Sequence, residues 1–178
     1  MSIEDAILYD AALKADLNAL GALFDRYAPA VYQFAVRFGF SSLEADRIVG
    51  VALNELAANI REGMPFSGNL RLDLFKAAFL SGLSTLQQPS SPAIIPTAQS
   101  FTGMDRQAAA FLNEFHTALF LHLNPEQRNV LILRFMEDFN AVETAEILGL
   151  TADEVTEIQT SALAVLRTRI KPAAGDEG

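Results

Sequence analysis

The chain has two histidines and no cysteine, so its scope for metal or nucleophilic chemistry is narrow from the outset. His116 and His122 lie six residues apart, which on a helix separates them by about 240° at 100° per residue, too far for one metal ion to take both. Both read as solvent-edge histidines on a helix running from about Asp105 to Leu123. Asp153, Glu154 and Glu157 are the densest set of carboxylates near a helix start. A cap-rich, solvent-facing first turn accounts for them better than a cation does, because acidic side chains are favourable at the positive end of a helix. No glycine-rich segment ends in a phosphate-gripping lysine. The residue types therefore call for no catalytic group, no cofactor, no metal and no small-molecule substrate, and the chain is not expected to be an enzyme.

What these residues sit on follows from composition and punctuation. The 178 residues are 51% hydrophobic, enough to bury a sizeable core, and carry 13 Lys and Arg against 22 Asp and Glu, a formal charge of −9. The longest apolar runs fall short of the roughly 18–20 residues that span a bilayer. The opening residues, with Glu4, Asp5 and Asp10, have no basic leader, so no membrane insertion and a cytoplasmic location are expected. Pro89, Pro92 and Pro96 fall within a Ser- and Gln-rich stretch, where each fixes φ and removes an amide donor. The reading is residues 1–87 as one helical domain, 88–103 as a linker whose Ala93-Ile94-Ile95 and Phe101 can dock on a neighbour, 104–171 as a second domain and 172–178 as a frayed tail. Apolar residues recur at helical spacing on both sides of the linker. Leu20, Leu23, Phe24, Tyr27, Val31, Phe34, Ala35 and Phe38 form one face, with a kink or break expected at Pro29. Ser41 and Glu44 form a capping box ahead of Leu43, Ile48, Val49, Ala52, Leu53 and Leu56, and Leu70 to Leu86 makes a further helix. No segment alternates with period two. The fold class expected is all-α, two small helical domains joined by a Pro/Ser-rich linker.

The second domain is punctuated more sharply. Asn124-Pro125 with Gln127, Asn140 with Glu143, and Thr151 with Glu154 are three successive cap-then-acceptor starts, and Gly149 precedes the last where a left-handed residue ends a helix. Helix, short helix, tight turn and longer helix read as a helix-turn-helix. Its framework is Ala145 at the helix crossing, Gly149 in the turn and Val155 as the plug, with Leu148, Leu150 and Ile158 around them. In a DNA-binding version the helix from Thr151 enters the major groove. It offers Thr151, Thr156 and Gln159, with Arg167 and Arg169 near its end, and no Lys or Arg before Arg167. From Leu123 to Lys171 there are five basic and eight acidic residues. The usual bidentate Arg or Lys contact to guanine is missing, so weak or absent DNA binding is expected.

The run Leu123-Asn124-Pro125-Glu126-Gln127-Arg128-Asn129-Val130-Leu131-Ile132-Leu133-Arg134-Phe135, then Ala141 to Leu150 and Ala162 to Arg169, closely resembles the C-terminal domain of extracytoplasmic-function (ECF) sigma factors. Leu23-Phe24-Asp25-Arg26-Tyr27-Ala28-Pro29-Ala30-Val31-Tyr32 and Glu44-Ala45-Asp46-Arg47-Ile48-Val49 resemble the opening of that family's first domain. The resemblance implies an N-terminal domain that clamps core RNA polymerase and a C-terminal helix-turn-helix that reads a promoter element. It also places polymerase or anti-sigma contacts at Asp46, Val49, Val51 and Leu53. Where the family's core-binding helix has Gln, an acid and an aromatic, this chain has Gly50, Val51 and Leu53. Where its recognition helix repeats Lys and Arg, this chain has Thr156, Ile158, Ser161, Leu163 and Ala164. The expectation is an ECF sigma-factor-like protein acting through protein contacts with an anti-sigma factor or RNA polymerase. The alternative is a genuine ECF sigma factor that binds core polymerase and promoter DNA.

Overall fold

In the computed structural model the described residues are 3–86 and 106–169. All their regular structure is helical: α1 (Ile3–Leu13), α2 (Leu17–Arg37), α3 (Ser42–Arg61), α4 (Leu70–Leu86), α5 (Arg106–His122), α6 (Pro125–Leu131), a π-helical turn (Ile132–Met136), α7 (Ala141–Leu148) and α8 (Ala152–Arg169). The chain divides into two compact units, Met1–Ile94 and Ile95–Gly178. The expected linker at 88–103, the tail at 172–178, and the side chains of Phe101, Phe111 and Lys171 lie outside the described residues.

In the first unit α2, α3 and α4 pack on one another and α1 lies along α2. The stripe read from the sequence does bury Leu23, Tyr27, Val31, Phe34 and Ala35, and Phe34 meets Phe75 of α4 with ring centroids 4.6 Å apart. Of the kink or break expected at Pro29 the break is absent: α2 runs unbroken through it. Its ring is exposed, and the buried Tyr27 and Val31 on either side hold the axis through the missing N–H bond. Leu43 is 63% exposed, because burial on α3 follows Ala45, Ile48, Ala52, Leu56 and Ile60.

Helix α1 is fixed by a polar anchor at Asp5 beside the buried Tyr9 and Ala12. Asp5 is buried and accepts from Arg26 at 2.7 Å and from the Tyr27 hydroxyl at 2.8 Å. Arg26 also pairs with Glu4 at 2.7 Å. Burial first, then the bond to Asp5, pushes the Tyr27 phenol far above its usual range.

In the second unit three local starts fold as read. Asn124 with Gln127 and Asn140 with Glu143 are complete capping boxes. Thr151 and Glu154 exchange bonds in the same way, Thr151 N–H to Glu154 at 2.7 Å and Glu154 N–H to Thr151 Oγ1 at 3.2 Å. Gly149 closes α7 at φ 71°, the left-handed region where a side chain is strained. A further correction concerns His116, which is fully buried beside Phe120 (centroids 4.8 Å apart) and not at the solvent edge. Its helix face turns inward with Leu119 and Leu123, while His122 is exposed.

Candidate protein and nucleic-acid interface

The helix-turn-helix framework assembles around three buried residues. Val130 of α6, Ala145 of α7 and Val155 of α8 form one apolar cluster, with Ala141, Leu148, Leu150 and Ile158 packed against it. Ala145 allows α7 and α8 to approach, and Leu150 N–H donates to the Ala145 carbonyl at 2.9 Å across the turn.

On this frame α8 presents its first turns to solvent, and there the hydroxyls and the one amide oxygen bond to groups of the chain itself. Thr151 is the cap. The Thr156 hydroxyl donates back to the Ala152 carbonyl, and the Thr160 hydroxyl to the Thr156 carbonyl, each at 2.9 Å. Ser161 accepts from Gln127 Nε2 at 3.1 Å. Gln159 accepts from Arg134 Nε at 2.9 Å. The exposed charges of this stretch are Asp153, Glu154 and Glu157. The backbone N–H of Thr151, then its hydroxyl, hold the Glu154 carboxyl below its usual range, so it stays ionised. Arg167 and Arg169, both exposed, sit in the last turn of α8, where cations complement the helix dipole. The five residues named as DNA-facing are thus split: Thr151 and Thr156 are exposed, Gln159 is half-buried against Arg134, and the two arginines lie at the opposite end.

The residue that organises this surface is Arg134, which sequence reasoning did not single out. The π-helical turn is closed by Glu137 N–H on the Ile132 carbonyl at 3.0 Å. Arg134 on this turn reaches both Gln159 and the Phe139 carbonyl. Its only signal in the sequence is a lone cation in the apolar run Leu131-Ile132-Leu133-Arg134-Phe135. Arg128, equally unflagged, is half-buried and lies over the Phe120 ring at 4.2 Å, and burial lowers its pKa.

In the first unit the four contact candidates on α3 separate. Asp46, Val49 and Leu53 lie on one flank of the exposed face. Val51 lies about 140° round the helix from Asp46 at 100° per residue, beside Leu43 and Arg47 on one i, i+4 row. Asp46 and Val51 are exposed, Val49 and Leu53 half-buried. On α4, Arg71 lies 4.9 Å from the Phe75 ring and, like Lys76, is half-buried. Among the described residues no group of three metal-ligating side chains converges, and no described helix is long and apolar enough to cross a membrane.

Residues 119–168 match the family model described as sigma-70, region 4. No curated protein matches the sequence. Among solved structures, the chain is similar to one in the structure of CnrH in complex with the cytosolic domain of CnrY, at 22% identity and a TM-score of 0.66, covering 93% of this chain and 96% of that one. A second similar structure is that of the RsbN-BldN complex, at 19% identity and a TM-score of 0.39, covering 91% and 99%.

Proposed function

We propose, from the premise that this is an ECF sigma-factor-like chain whose residues 119–168 form a sigma-70 region 4 domain, that it regulates bacterial transcription initiation mainly through protein contacts. The partners proposed are an anti-sigma factor or core RNA polymerase, met in the cytoplasm, and promoter DNA is bound weakly or not at all. The observation that carries this is the state of α8. Its leading turns expose Asp153, Glu154 and Glu157, while the Thr156 and Thr160 hydroxyls donate back to carbonyls of their own helix and Gln159 Oε1 is held by Arg134.

A polyanion approaching that surface meets acidic side chains where a reader of DNA needs donors. Each phosphate contact by a Lys or Arg contributes roughly 0.9 to the logarithmic salt slope of binding. With Arg167 and Arg169 the only cations α8 offers, little sequence-independent affinity remains. The protein-contact reading is supported by the fold match to CnrH, a protein solved bound to the cytosolic domain of another. On this chain the contact residues proposed are Asp46, Val49 and Leu53 on one flank of α3, with Val51 and Leu43 on its exposed crest.

The second reading, a genuine sigma factor, is favoured by one observation: the helix-turn-helix framework of Ala145, Gly149 and Val155 is intact. Reconstituted transcription separates the two. Core polymerase with the purified chain is expected to give no promoter-specific transcript, and a specific transcript would establish the second reading.

A further inference from the structure

The first unit contains a cavity of about 320 Å³ on the side of α3 that faces α1 and α4, bounded by the 62–69 loop. Its volume is at the lower end for ligand pockets, which run from about 300 to 1,000 Å³. That is room for one ring or one large side chain. Leu56, Leu74 and Ala77 give it a buried apolar floor. One end is closed from α1, where the Tyr9 hydroxyl donates to the Met64 carbonyl at 3.2 Å and its ring meets Phe66 at 5.3 Å.

The mouth carries charge of mostly one sign. Glu55 on α3 and Asp73 on α4 both line it, against a single ammonium from Lys76. Asp73 accepts from the Ser67 hydroxyl of the loop, which fixes its carboxylate at the rim. After burial, the Asp73 charge is the second cause that raises the Tyr9 phenol, so its field reaches the closed end.

We propose that this cavity takes an apolar side chain flanked by a cation, presented by a protein partner. The apolar group fills the Leu56, Leu74 and Ala77 floor, and the cation sits between Glu55 and Asp73. The same two carboxylates oppose a group that carries phosphate, so a nucleotide is disfavoured. That the group comes from a protein partner rests on the functional reading above. The cavity's selectivity for it does not, and the two can fail separately.

The test uses the full chain and small probes followed by NMR. 3-Phenylpropylamine, a cation at neutral pH, should shift the methyl resonances of Ala77 and Met64 saturably. The anion 3-phenylpropionate should not. Glu55→Lys, an exposed substitution, should weaken the amine about fivefold, in line with the loss of a solvent-exposed charge interaction, and leave the spectrum of the free fold intact. Glu55→Gln should give an intermediate loss. Absence of saturable shifts, equal binding of the anion, or tighter binding of a nucleoside monophosphate or single-stranded oligonucleotide would each overturn the proposal.

Discussion

Arg134 Nε donates to Gln159 Oε1 at 2.9 Å, tying the π-helical turn to the middle of α8. The pair is 25 residues apart in sequence and part-buried. It withdraws the one amide side chain that α8 could offer to an adenine edge, since such readout needs both the oxygen and the nitrogen of Gln or Asn. The same guanidinium also holds the Phe139 carbonyl, so one residue fastens the turn, the following loop and α8.

Gln159→Ala is therefore expected to act on stability before it acts on binding. It leaves Arg134 with one fewer partner, at a cost of about 1–2 kcal/mol for a part-buried bond to a charged group. Arg134→Ala should cost more, because both bonds go. Denaturant unfolding of the full chain measures both, and a Gln159→Ala midpoint equal to that of the parent would show that the bond contributes nothing.

Two glycines in helices should respond oppositely to alanine. At Gly50 on exposed α3 an added Cβ meets nothing within 4 Å, so the gain in helix propensity, about 0.8–1 kcal/mol, should appear in full. At Gly82 on α4 the Cβ would stand 2.6 Å from Phe40 Cζ. Phe40 is itself buried, and moving its ring should cancel or exceed that gain. Thermal melts should place Gly50→Ala above the parent and Gly82→Ala at or below it; a Gly82→Ala rise equal to that of Gly50→Ala would contradict the contact.

The anchor of α1 predicts an alkaline weakness. The Tyr27 phenol is raised in the folded state, first by burial and then by its bond to Asp5, so the folded form holds its proton where the unfolded form releases it. The contribution is whole below the ordinary phenol pKa of about 10 and is lost as pH rises beyond it. Tyr27→Phe removes the titration, and the fall in unfolding free energy above pH of about 10 should be shallower than in the parent. Tyr9, also raised by burial and then by Asp73, leaves a residual slope. Identical slopes in parent and variant would show that Tyr27 is not the group concerned.

The parts of this fold that were legible in the sequence are those settled within four or five residues. Ser41 with Glu44, Asn124 with Gln127, Asn140 with Glu143 and Gly149 in its left-handed turn are local bargains between a side chain and the nearest backbone. What could not be read depends on partners far along the chain. Helix α1 buries only Tyr9 and Ala12 as apolar residues, and its seat is completed by the Asp5 contact with Arg26 and Tyr27, 21 and 22 residues away. His116 looks no different from His122 until the packing of α5 decides which face is inside. Pro29 is survivable because tertiary burial at Tyr27 and Val31 outweighs one lost hydrogen bond. The candidate interface was legible in its charges, since the missing cations of α8 are a matter of composition. It was not legible in the internal engagement of Gln159, Thr156 and Ser161, nor in the angle that sets Val51 apart from Asp46.

Whether the helix-turn-helix lacks a surface that grips DNA, as proposed, is measured most directly by binding of the full chain to labelled promoter-length duplex across a salt series from low to physiological ionic strength. Weak binding that is indifferent to sequence, with a logarithmic salt slope no steeper than about −2, as two phosphate contacts allow, is the result expected. Tight, sequence-dependent binding with a slope several times steeper would contradict it.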